Sequence, residues 1–97
     1  MGPAPTPQQS LAMAYARLRA LRDDIDATEP YAPELLGADF TRVLDDLHKA
    51  GFDLSAFTLD VADRVEDREG SLRVPSSVLA ARLDAVVVYM DLLAGLP

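Results

Sequence analysis

Apolar positions recur at intervals of three and four along three long stretches of this chain, and helix-end residues stand between them. The first stretch sets Leu11, Ala14, Leu18, Leu21 and Ile25 on one stripe, the pattern of a helix with a single buried face. Thr6-Pro7-Gln8-Gln9 opens it as a capping box, with Thr at the N-cap, Pro at the first helical position and Gln three residues on. Arg19 with Asp23 and Arg22 with Asp26 stand four apart on the polar side, pairs worth a few tenths of a kcal/mol each. Pro30 and Pro33 close the stretch.

A second helix is expected over about 33–50, with Leu36, Phe40, Val43, Leu44 and Leu47 inward. Gly37 weakens its first turn, so Asp39 is an alternative N-cap. Gly51 stands where a left-handed C-cap residue is wanted, and Phe52 follows to make the accompanying apolar contact. Asp53 then reads as the N-cap of a third, shorter helix with Leu54, Phe57, Val61 and Val65 facing inward. Residues 66–71 read as a solvated loop, and 72–74 as extended at most, because Val74 precedes Pro75.

The last helix is expected from Ser76 or Ser77 to about Ala94, stopping at Gly95. Leu79, Leu83, Val86, Met90 and Leu93 form one stripe, and Val78, Ala85, Val88, Tyr89 and Leu92 widen it. Three consecutive valines allow a strand over the same residues, but the Ala- and Leu-rich frame favours a helix. A helix this apolar is buried on nearly all sides. It is therefore either the central helix of the monomer or shared with a second subunit.

Composition agrees with an all-α fold: fifteen Ala and fifteen Leu stand against one Ile, without Trp or Cys. The absence of Cys excludes disulfide scaffolds, thiol catalysis and cysteine zinc sites. It leaves one compact bundle of about four helices (the third short) over 8–97, behind a flexible Pro-rich tail at 1–7. Sixteen acids and nine bases give a net charge of −7, which argues against a nucleic-acid partner. The start has neither the basic nor the apolar region of a secretory signal. Gly2 and Thr6 match the spacing of a myristoylation signal, but Pro3 and Pro5 stiffen the segment and no lipid is expected. The longest apolar run, Ala85 to Met90, is far short of the roughly 20 residues that span a bilayer. A cytoplasmic location without a membrane partner is expected, and the Ala, Arg and Asp bias resembles that of high-GC bacterial genomes.

Candidate chemistry is sparse. His48 is the sole histidine, and Asp45-x-x-His48 echoes the carboxylate helices of di-iron bundles, which need two such helices. Asp23, Asp24 and Asp26, and Asp60, Asp63, Glu66 and Asp67, read as solvated faces and lack calcium-loop spacing. No phosphate-binding glycine loop is present. No catalytic, cofactor-binding or metal-binding residue is assigned, and neither a cofactor nor a small-molecule substrate is expected.

Leu18-Arg19-Ala20-Leu21-Arg22-Asp23-Asp24-Ile25-Asp26 resembles the opening of the small all-helical chorismate mutases, whose first helix carries Leu-x-x-Leu-Arg-x-x-Ile-Asp. The resemblance covers nine residues and implies a helical dimeric enzyme that clamps a dicarboxylate with Arg and Lys. The chain departs from that pattern at Pro30 and Pro33, which break the helix early, and in having Lys49 as its only lysine. Secreted helical hairpins with a Trp-x-Gly turn are excluded by the absence of Trp. The favoured expectation is a non-catalytic protein–protein interaction module, an adaptor or regulator, homodimeric through Val78, Ala85, Val88, Tyr89 and Leu92. An acidic inhibitor or antitoxin-like protein that neutralises a basic partner is the first alternative, and the mutase-like enzyme the second.

Overall fold

The computed structural model describes residues 6–26 and 28–95. The fold is mostly helical: α1 (Pro7–Asp23), α2 (Glu34–Lys49) and α3 (Ser76–Gly95), with a two-stranded hairpin between the last two. Residues 1–5 of the expected tail, with Gly2 of the lipidation pattern, lie outside the described residues, as does Pro97. Thr6 is the N-cap of α1 and Pro7 its first residue. The capping box closes as read, with the Gln9 amide donating to Thr6 Oγ1 at 3.1 Å and the Thr6 amide to Gln9 Oε1 at 2.9 Å.

The α1 helix packs against both α2 and α3, so it, and not the last helix, is the shared element. Its buried face is Ala14, Leu18 and Leu21, while Ile25 lies beyond the helix and is only partly buried. Neither expected i,i+4 pair forms. Arg22 reaches across to Asp84 of α3 at 2.9 Å, and Arg19 donates back to the Tyr15 hydroxyl at 3.2 Å. Exposed i,i+4 pairs are worth so little that another partner within reach, on α3 for Arg22 and within α1 for Arg19, displaces them.

The α2 helix begins at Glu34 behind Pro33, so Gly37 lies inside it and Asp39 is not the N-cap. Its C-terminus follows the glycine rule. Gly51 has φ +101°, its amide donates to His48 O at 3.0 Å, and the Phe52 amide donates to Leu47 O at 2.9 Å. That pair of bonds is a Schellman motif, and it swings Phe52 back onto the core. Phe40, Val43, Leu44 and Leu47 supply the buried face of α2.

The third helix does not form. Residues 51–64 contain two short 3-10 turns, Ser55–Phe57 and Val61–Asp63, and only Leu54 of the expected inward set is fully buried. Phe57 is partly buried, whereas Val61 and Val65 point to solvent. Local side chains take the backbone groups that a helix would need. Asp53 accepts from the Ser55 amide, Thr58 Oγ1 donates to Ser55 O, and Asp60 and Asp63 close a small capping box on each other. Arg82 then claims the carbonyls of Phe57 and Thr58 at 3.1 and 2.8 Å, acceptors a helix would have used itself.

Beyond these turns β1 (Val65–Glu66) pairs antiparallel with β2 (Leu72–Arg73) in the register Val65 to Arg73 and Glu66 to Leu72. The connecting loop is a turn closed by the Gly70 amide on Asp67 O, with Gly70 at φ +82°. Asp67 Oδ1 accepts from the amides of Glu69 and Ser71, which tightens it further. The chain leaving α1 lies beside this strand. Ala32 donates to Val74 O at 2.8 Å and Ser76 to Pro30 O at 3.1 Å, while the Arg73 guanidinium covers the Tyr31 ring.

Candidate functional site

The α3 helix is the most apolar element, and the structure divides it into two faces. Leu79, Leu83, Val86 and Met90 are at most 2% exposed and form its inward seam. Each residue of a helix is turned 100° from the last, so a set two positions further on points almost directly away. That set is Ala81, Ala85, Val88 and Leu92, with the same 4-3-4 spacing. All four are exposed, Val88 by 58% and Leu92 by 63%. One helix thus carries two complete heptad-like seams, and only one is covered within the monomer.

The five residues marked from sequence separate accordingly. Ala85, Val88 and Leu92 lie on the open face. Val78 is partly buried against the core, so it belongs to the inward packing. Tyr89 stands on the flank, 37% exposed, with its ring tilted against Phe57 at 5.5 Å between centroids. Ala81 completes the open seam and was not singled out. Its signal is its place four residues before Ala85, and its small size hides it from a search for bulky exposed residues.

The two flanks of this seam differ. On one side Arg82 ties α3 to the turns before the hairpin, donating to Phe57 O, Thr58 O and, at 2.8 Å, to Asp63. Asp63 also accepts from the Asp60 amide, and these bonds hold its carboxyl below the usual carboxylate range, the amide bond most strongly. On the other side Arg22 of α1 pairs with Asp84. Arg19 is held above its ordinary range by the Tyr15 hydroxyl first, with smaller contributions from the carboxylates of Asp23 and Asp91. Of the acids flanking the seam on that side, Asp84 is thus held by an α1 arginine.

A groove of about 650 Å³ adjoins the same end of the molecule, lined from α1 by Leu11, Ala12 and Tyr15 and from α3 by Met90, Asp91 and Leu93. It is open and lacks any convergent set of charged groups. His48 is exposed near the end of α2, beside Asp45 and Ser55 on a shallow hollow. Among the described residues, no three His, Asp or Glu side chains converge to hold a metal ion, and no helix is long and apolar enough to cross a membrane. No family model, curated protein or solved structure matches the chain. Any functional reading therefore rests on the surface itself.

The acids of α2 and of the hairpin do not form a continuous face of one sign. Arg17 bonds Asp46 at 3.1 Å, Lys49 bonds Asp45 at 3.2 Å, and Arg73 lies 3.7 Å from Asp67. The first two are solvated pairs that interleave the two charges, whereas Arg73 and Asp67 are largely buried, so Asp67 does not lie on the solvated face expected of it.

Proposed function

We propose that this protein is a non-catalytic interaction module of the cytoplasm that associates with itself through the open face of α3. The observation that carries this reading is the second apolar seam, Ala81, Ala85, Val88 and Leu92, which the monomer leaves uncovered. A strip of this kind, continuous over three helical turns and free of charge, supports a contact surface. The strip is about 16 Å long at 1.5 Å per residue, so the contact covers on the order of a few hundred Å² per copy. A standard interface buries about 800 Å² per partner, which puts this association among the small, weak contacts. Such an affinity suits an adaptor or regulator whose state follows its concentration.

Sedimentation over a range of protein concentrations tests the proposal. The wild-type chain should pass from monomer to dimer as its concentration rises to several hundred micromolar. Leu92→Glu should stay monomeric and keep its helical circular dichroism, because a carboxylate at an exposed position has no desolvation to suffer in the monomer. A wild type that remains monomeric at several hundred micromolar sinks the proposal. The acidic-inhibitor alternative draws support from the net charge of −7. The interleaving of Arg and Asp on the surface weighs against it.

A further inference from the structure

Resting on the self-association proposed above, we infer that the two copies meet with their α3 helices antiparallel, about a two-fold axis between Ala85 and Val88, so that Ala81 packs against Leu92 of the second copy and Ala85 against Val88. The sizes along the seam are graded: two alanines occupy its N-terminal half, a valine and a leucine its C-terminal half. A parallel pair would stack alanine on alanine at one end and leucine on leucine at the other. Two straight helices cannot close both layers at one separation, so such a pair would gape or splay. The antiparallel pair puts one small and one large side chain in every layer. The separation is then uniform along the contact, and the two-fold makes each layer occur twice.

Charge complementarity supports the same arrangement. In an antiparallel pair, like flanks lie together, so the flank carrying Asp84 and Asp91 meets its own copy. That juxtaposition would be repulsive if the acids were bare. Asp84, the acid nearer the middle of the seam, is instead paired with Arg22 of α1 at 2.9 Å. The two-fold brings the Arg22–Asp84 pair of one copy toward Asp91 of the other, so that an arginine stands between the carboxylates of the two copies. This lowers the local repulsion between the two flanks, while the long-range repulsion of two bodies of net charge −7 remains.

The chain has no cysteine, so introduced thiols report unambiguously. Ala81→Cys and Leu92→Cys are made as separate chains, checked for helical circular dichroism, and oxidised alone and mixed at several hundred micromolar. A disulfide needs Cα atoms within about 7 Å. In the antiparallel pair, residues 81 and 92 of opposite copies share a layer, while two copies of either residue stand about 16 Å apart along the seam. The mixture should therefore give the heterodimeric disulfide in at least tenfold excess over either chain alone. Should one outer variant misfold, a nitroxide spin label on the other decides alone, because its two copies stand about 16 Å apart along the seam in the antiparallel pair and share a layer in a parallel one. Ready cross-linking of each chain with itself, without excess in the mixture, overturns the antiparallel arrangement and leaves self-association through α3 standing. A wild type that dimerises while neither pattern appears overturns the inference and moves the contact off this face. A monomeric wild type removes the proposed function and the inference together.

Discussion

Two glycines, one inside α2 and one just past its end, have opposite roles at the scale of single residues. Gly51 adopts φ +101° with nothing within 4 Å of where a Cβ would stand, so its side-chain-free backbone is what the Schellman turn requires. Gly51→Ala should destabilise the protein by about 1–2 kcal/mol, entirely through the left-handed backbone. Gly37 lies within the helix, and an added Cβ would meet only Leu59 Cδ1 at 4.0 Å, an ordinary contact. Gly37→Ala should therefore stabilise by about 0.5–1 kcal/mol. Urea denaturation of the two variants measures both signs, and a gain at position 51 would contradict the turn assignment. Both effects are local, which is why the Thr6 box and the Gly51–Phe52 end are readable in sequence. Cap and turn rules involve only the residues next to them.

Elements are less transparent, and the stretch from 51 to 75 shows why. Leu54, Phe57, Val61 and Val65 have helical spacing, yet the backbone there is organised by Asp53, Thr58, Asp60 and Asp63, and by Arg82 of α3, nineteen residues beyond Asp63. Spacing reports what a helix would bury; it does not report a distant guanidinium competing for the carbonyls. The hairpin was half legible, since the turn residues Asp67 and Gly70 marked a loop and Pro75 kept its partner extended. Asp63 makes this element sensitive to acid. Its carboxyl is held below the ordinary value by the Asp60 amide and then by Arg82, so the charged form is favoured in the folded state. The stabilisation is thus fully present above the unfolded value of about 3.9 and is lost as pH falls through the lower folded value. Amide exchange of residues 60–64 should accelerate below about pH 4 relative to the helices. In Asp63→Asn, exchange at neutral pH should already be faster, and its acid dependence flatter. An unchanged acid dependence in that variant would show that Asp63 does not hold the turn.

For the whole molecule, the inward stripe Leu79, Leu83, Val86 and Met90 of α3 was legible in the sequence, but which of the apolar residues that widen it lie open was not. That division depends on where α1 and the Phe57 turn lie around α3, which no periodicity in α3 itself encodes. Val78 and Val88 look alike in sequence, and packing separates them: one joins the core and the other is 58% exposed. The resulting molecule has an uncharged seam on a body of net charge −7, and the two features respond oppositely to salt. Two copies repel through their long-range charge, while the seam holds them by apolar contact that screening does not weaken. Raising ionic strength from 0.1 to 1 M shortens the Debye length from about 10 to about 3 Å, which removes the repulsion and leaves the contact. The dimerisation Kd measured by sedimentation equilibrium should therefore hold or fall over that range. An acidic inhibitor bound to a basic partner behaves in the reverse way, because the same screening removes its attraction and slows its encounter. A dimer that dissociates as salt is added would show that charge pairs, and not Ala81, Ala85, Val88 and Leu92, hold the copies together.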